Sequence, residues 1–121
     1  METTNETDAR MAEVAETIRF TKMHYPMSRR PIRGTPDWRA MWVHGRTETH
    51  RFEALVFPEH AECPEFELGQ SRISKVWVER LADQKTAANF DRGWDVRPTD
   101  ETAKAIVDFL AAGLAEHVFG A

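Results

Sequence analysis

The stretch Asn89-Phe90-Asp91-Arg92-Gly93-Trp94-Asp95-Val96 gathers two carboxylates, a guanidinium and two aromatic rings. Read as a strand, it puts Phe90, Arg92, Trp94 and Val96 on one face and Asn89, Asp91, Gly93 and Asp95 on the other. Paired carboxylates do acid–base chemistry when they share a proton or flank a reacting bond. Four residues of extended chain hold Asp91 and Asp95 about 13 Å apart, too far for either role. A bulge at Gly93 would shorten that distance. The plainer reading is a solvated face, with Asp95 pairing with Arg97. Arg92 carries the sharper implication. Placed inward beside Phe90 and Trp94, its guanidinium needs a carboxylate or an aromatic ring. Glu53 or Glu79 would make that a structural pair, and an anionic ligand would make it a pocket. The structural pair is the preferred reading.

Tryptophan and arginine are enriched at binding hot spots, and pockets are mostly apolar with a few placed polar groups. A pocket or interface lined by Trp42, Trp77, Arg92 and Trp94 is therefore expected. Strand phase divides the set, with Trp42, Arg92 and Trp94 on one face and Trp77 on the other. A slip of one residue would regroup them. The competing reading makes the inward rings plain core.

The other motifs resolve into weaker readings. His60-Ala61-Glu62 matches the His-x-Glu of zinc deaminases, but no Pro-Cys-x-x-Cys follows to complete the zinc set. His24, His44, His50, His60 and His117 form neither an i, i+4 pair nor a His-x-His pair. His44 and His50 could meet across a hairpin, yet no metal site is assigned. Arg29, Arg30, Arg33 and Arg39, with Tyr25 and Trp38 nearby, make a basic loop of the kind that holds single-stranded nucleic acid. The net charge of −4 opposes that role. No phosphate-binding glycine loop and no nucleophile elbow is present in the sequence.

The elements that must position these residues follow from periodicity. Met11, Val14, Ala15 and Ile18 recur at helical spacing, which predicts a helix over 7–22. Residues 1–6 are expected to be a disordered tail, and 7–121 one domain. Pro26 and Pro31 interrupt helical continuity before the Arg29–Arg39 loop. Alternation then predicts strands over 38–44, 50–57, 73–80 and 88–96. After Pro98, Thr99 is the expected N-cap of a helix burying Ala103, Ile106, Val107, Leu110, Leu114 and Val118, with Gly120 as C-cap. The expected fold is α+β: a four-stranded antiparallel meander flanked by an N-terminal and a C-terminal helix. Met41, Val43, Leu55, Phe57, Ile73 and Trp77 fall opposite the assigned core, so a subunit or the first helix should cover them.

Composition bounds the rest. A hydrophobic fraction of 41% with 30% charged residues excludes a disordered chain. The acidic balance gives no general pull toward nucleic acid or anionic membrane, and no apolar run approaches the roughly 20 residues of a membrane span. A single cysteine, Cys63, and a polar acidic start point to the cytoplasm.

Gly69-Gln70-Ser71-Arg72-Ile73-Ser74-Lys75-Val76 followed by Asn89-Phe90-Asp91-Arg92-Gly93-Trp94-Asp95 resembles a small bacterial and phage family with "GRISKL" and "YDRGWD" strands. Such proteins are similar to those carried on mobile integron gene cassettes. The resemblance covers about residues 38–110, implies kinship of fold and a mobile-element origin, and brings no activity with it.

The sequence therefore favours a cytoplasmic, homo-oligomeric module, a dimer first, that binds a small ligand or partner protein without catalysis and without a cofactor. Its candidate binding residues are Trp42, Trp77, Asp91, Arg92, Trp94 and Asp95. The alternative is an enzyme using Asp91, Asp95 and Arg92 with a histidine. The third reading is single-stranded nucleic acid held by Arg29, Arg30 and Arg33.

Overall fold

The computed structural model describes residues 6–25 and 40–120. The Arg29–Arg39 loop, Trp38 and the tail before Glu6 lie outside the described residues. Helix α1 spans Glu6–Thr17 and ends five residues before the periodicity predicts. The Thr17 hydroxyl donates back to the Glu13 carbonyl at 2.9 Å, and Ile18 N donates to the Val14 carbonyl at 2.8 Å. The chain then extends as strand β1, Arg19–His24, which the sequence reading had absorbed into the helix. Over so few residues an apolar pair such as Ile18 and Phe20 fits either period.

Strands β2 (Met41–Arg46), β3 (His50–Val56), β4 (Ile73–Arg80), β5 (Lys85–Asp91) and β6 (Trp94–Val96) follow. Helix α2, Glu101–Phe119, closes the domain. Among the described residues the sheet has six strands rather than four, in the order β1-β2-β3-β4-β5-β6, every neighbour antiparallel. The sixth strand arises because the predicted 88–96 strand breaks in the middle. Arg92 and Gly93 take positive φ values of 55° and 141°, and the chain reverses there. Arg92 N donates to the Ser74 carbonyl at 2.8 Å, which ties the turn to β4.

Both helices lie on one face of the sheet. Val14 of α1 joins Ala103, Ile106, Val107, Leu110 and Leu114 of α2 over Val43, Phe52, Ala54, Val56, Val76, Val78 and Phe90. Directly paired residues share a face. The pairings Val43↔Ala54 and Ala54↔Val76 therefore set Val43 in the core and turn Trp42 to the opposite side. This corrects the expected phase of β2, whose two faces are both apolar enough to mislead. Ile73 also belongs to the core, and Met41 packs against it.

One close approach and two helix caps fix the geometry. A Cβ on Gly45 would stand 2.4 Å from Phe52 Cζ and 2.5 Å from the Arg19 carbonyl, so β1 and the Phe52 ring close over a bare backbone. The N-cap of α2 is Asp100 rather than Thr99: its carboxylate accepts from Ala103 N at 2.7 Å. Gly120, at φ 80°, is the C-cap. Among the described residues no helix is long and apolar enough to cross a membrane.

Candidate functional site

With both helices on one side, the other face of the sheet is left uncovered among the described residues, and its side chains fall into cross-strand rows. One row runs Trp42, Leu55, Lys75, Asp91, and the next runs His44, Glu53, Trp77, Asn89. Trp42, Glu53, Lys75, Val76, Trp77, Asn89 and Asp91 line a cleft of about 350 Å³ there. The two indoles come from β2 and β4, and Glu53 projects from the strand between them.

The polar groups of the cleft are unequally partnered. Lys75 Nζ stands 3.7 Å from Asp91 Oδ1. Trp77 Nε1 donates to Thr86 Oγ1 at 3.1 Å. The Arg51 guanidinium lies 4.8 Å from the Trp77 ring centroid, and its Nε donates to Glu79 Oε1 at 2.6 Å. These contacts hold the Trp77 ring in place. The ion pair of Glu53 is with His44, whose Nδ1 is 3.7 Å from Glu53 Oε1, beyond hydrogen-bond length.

His44 is the middle of a chain. Its Nε2 is 2.8 Å from His24 Nε2, and His24 Nδ1 is 3.1 Å from the Tyr25 carbonyl. A carbonyl only accepts, so His24 carries its proton on Nδ1 and offers a lone pair at Nε2. His44 then donates from Nε2 and turns a bare Nδ1 toward Glu53 when it is neutral. Burial pushes the His44 pKa below its usual value, outweighing the pull of Glu53, and His24 and Lys22 on β1 and Arg51 on β3 push the same way as burial. The Glu53 carboxylate, 35% exposed, is thereby left without a charged hydrogen-bond donor from His44 near neutrality.

The structure separates the residues that the sequence grouped. Trp42, Trp77 and Asp91 line the open cleft. Arg92 does not point inward among the aromatics. Its side chain is 62% exposed on the β5–β6 turn, with Nε 3.8 Å from Asp91 Oδ1 and its guanidinium 6.0 Å from the Phe66 ring. Of the carboxylates proposed for it, Glu79 is held by Arg51, and Glu53, on β3, stands beside His44. Asp95 sits at a bulge in β6 and accepts from Asn89 Nδ2 at 3.2 Å. Trp94 packs edge-on against Phe90, with centroids 5.2 Å apart, on the helix side of the sheet. There it joins Leu68, Ser71, Val107, Ala111 and others around a second cleft of about 460 Å³. Arg29, Arg30 and Arg33 lie outside the described residues.

The remaining titratable groups hold the fold. His60 Nδ1 meets Glu67 Oε1 at 2.8 Å, rather than forming a deaminase pair with Glu62. His50 is buried, with Nε2 3.1 Å from Asp100 Oδ2, and it faces away from His44. Among the described residues no group of three or more His, Cys, Asp or Glu side chains is placed to hold a metal ion. Sequence reasoning missed His24, Glu53, Lys75 and Asn89 as partners of the tryptophans. Alternation already sets Glu53, Lys75 and Asn89 on the face of Trp77, and it is the phase of β2 that kept Trp42 apart from them.

Residues 41–115 match the family model described as Domain of unknown function (DUF7678), and the chain belongs to that family. No curated protein and no solved structure matches it. The matched segment holds every residue lining the open cleft, whereas α1, β1 and His24 precede it.

Proposed function

We propose that this member of the family is a non-catalytic binding module whose ligand occupies the open face of the sheet. One observation carries the reading. A two-layer domain builds its core beneath two helices, yet keeps Trp42 and Trp77 at a solvent-facing cleft with Glu53, Lys75, Asn89 and Asp91. Apolar walls with a few placed polar groups are the usual make-up of a ligand site. The test is thermal shift and tryptophan fluorescence against a small-metabolite library, on the wild type and on Trp42→Ala. A compound that raises the wild-type melting temperature and loses its effect in Trp42→Ala supports the reading. A library without a single Trp42-dependent binder overturns it.

A second reading, an enzyme, is favoured by the His24–His44 chain ending beside Glu53 at the cleft. Such a chain could carry a proton to a bound substrate. It replaces the set expected from sequence, because Arg92 and Asp95 do not line the cleft. Turnover of a library binder that is lost in His44→Gln while binding persists would favour this reading.

Self-association belongs to the proposal as well. Strand β1 is an edge of the sheet among the described residues, and Met23 on it is 44% exposed. A dimer paired through β1 would leave the cleft open. A cytoplasmic setting accords with the single free thiol of Cys63. The resemblance carried by residues 69–76 and 89–95 supports a mobile-element origin, which flanking recombination sites in the source genome would test.

A further inference from the structure

We propose that the open cleft takes a small organic cation, an alkylated ammonium or guanidinium group seated between Trp42 and Trp77 and neutralised by Glu53. The inference rests on reading the cleft as a ligand site and adds the chemistry of the ligand. Three features point the same way.

First, the acidic and basic side chains of the cleft do not cancel. Among the described lining side chains Lys75 stands 3.7 Å from Asp91, and Glu53 is a second carboxylate with no second lining cation. Second, the neighbour of Glu53 does not neutralise it. His44 spends its Nε2 proton on His24, 2.8 Å away, and presents Nδ1 at 3.7 Å. Third, the carboxylate rises from β3, between the strands that bear the two indoles. A cation over an indole face is held by the ring quadrupole, and a carboxylate beside it supplies the counter-charge. The domain already uses this contact internally: the Arg51 guanidinium stacks 4.8 Å from the Trp77 centroid. That occupies one face of Trp77 and leaves Trp42 and the cleft side for a ligand. An anion would meet two lining carboxylates, Glu53 and Asp91, against the lining cation Lys75, which is already engaged.

Choline chloride, its uncharged carbon isostere 3,3-dimethylbutan-1-ol and sodium acetate are titrated into the protein with tryptophan fluorescence as readout. The same titrations are run on Glu53→Gln and Trp42→Ala, with near-ultraviolet circular dichroism verifying their folds. Choline is expected to quench saturably, and the neutral isostere to bind about tenfold more weakly or worse. Glu53→Gln should weaken choline by about tenfold and leave the isostere unchanged, and Trp42→Ala should weaken both. Equal binding of choline and the isostere, or saturable binding of acetate instead, overturns the cation assignment while the ligand site stands. Choline binding that neither substitution alters places the cation elsewhere and also overturns it. Failure of all three probes overturns the assignment, and a Trp42-dependent binder from the metabolite library then decides whether the cleft reading survives.

Discussion

Glu67 is the carboxylate on which the long β3–β4 connection closes. Its side chain is 5% exposed and accepts from Ala61 N at 2.7 Å, from Arg72 N at 2.9 Å and from His60 Nδ1 at 2.8 Å. Burial alone would raise its pKa, but the donors from His60, Arg72 and Ala61 together outweigh burial and hold it below the usual carboxylate range. The folded state therefore binds its proton less readily than the unfolded chain. The stability this contributes is full above the ordinary glutamate pKa and is lost as pH falls through the lowered value. Glu67→Ala should cost about 1–3 kcal/mol in urea unfolding, since it removes the shared acceptor of three part-buried donors, and should flatten the acid limb of the stability profile. Glu53, on the open face, should behave oppositely: Glu53→Gln is expected to change stability by less than about 0.5 kcal/mol. A large loss there would mean that Glu53 serves the fold. Gly45→Ala places a methyl against Phe52 and the Arg19 carbonyl and should cost about 1–3 kcal/mol by the same measurement.

At the scale of elements, the β5–β6 hairpin and the α2 cap decide how the chain turns. Gly93 at φ 141° occupies a region that side chains rarely adopt. Gly93→Ala should lower stability by about 1–3 kcal/mol although nothing stands within 4 Å of the added Cβ, because the cost is backbone strain. A neutral substitution would place the turn elsewhere. Asp100 caps α2 through Ala103 N and also meets His50 at 3.1 Å, which joins the β2–β3 turn to the helix. Burial would raise the pKa of Asp100, but Ala103 N and His50 lower it on balance. Asp100→Ala should remove at least the usual cap contribution of about 1 kcal/mol, read as a drop in melting temperature. The strand 73–80 was legible to the residue, because Val76 and Val78 alternate with Lys75, Trp77 and Glu79. The 88–96 run was not. Its alternation continues through Arg92 and Gly93, and only the positive φ values show that the chain has reversed.

At the scale of the molecule, the two-layer arrangement puts one face of the sheet beneath the helices and leaves the other uncovered among the described residues. Leu110 is buried where α2 meets the sheet, so Leu110→Asp should abolish cooperative unfolding, whereas Trp77→Ser on the open face should leave a folded domain. A folded Leu110→Asp protein would refute the placement of α2. Light scattering at high micromolar concentration is expected to give a dimer, and a monomer would remove the self-association proposal. The face first read as apolar and in need of cover is less so in the structure. Val43 and Ile73 lie in the core and Met41 packs against it, leaving Trp42, Leu55 and Trp77 among charged neighbours.

Periodicity by itself determined the α+β class, the antiparallel meander at its centre and the buried stripe of α2, because these depend on local repeats of apolar residues. It also singled out Trp42, Trp77 and Asp91 by residue type. Which of them meet was decided by cross-strand pairing. The phase of β2 is ambiguous when both of its faces are apolar, and Val43↔Ala54 settles it by placing Val43 beneath the helices. The His24–His44 contact joins positions 20 residues apart on paired strands, a relation that no local pattern encodes. Arg92 was assigned inward by alternation and stands outward because one turn ends the alternation before it arrives.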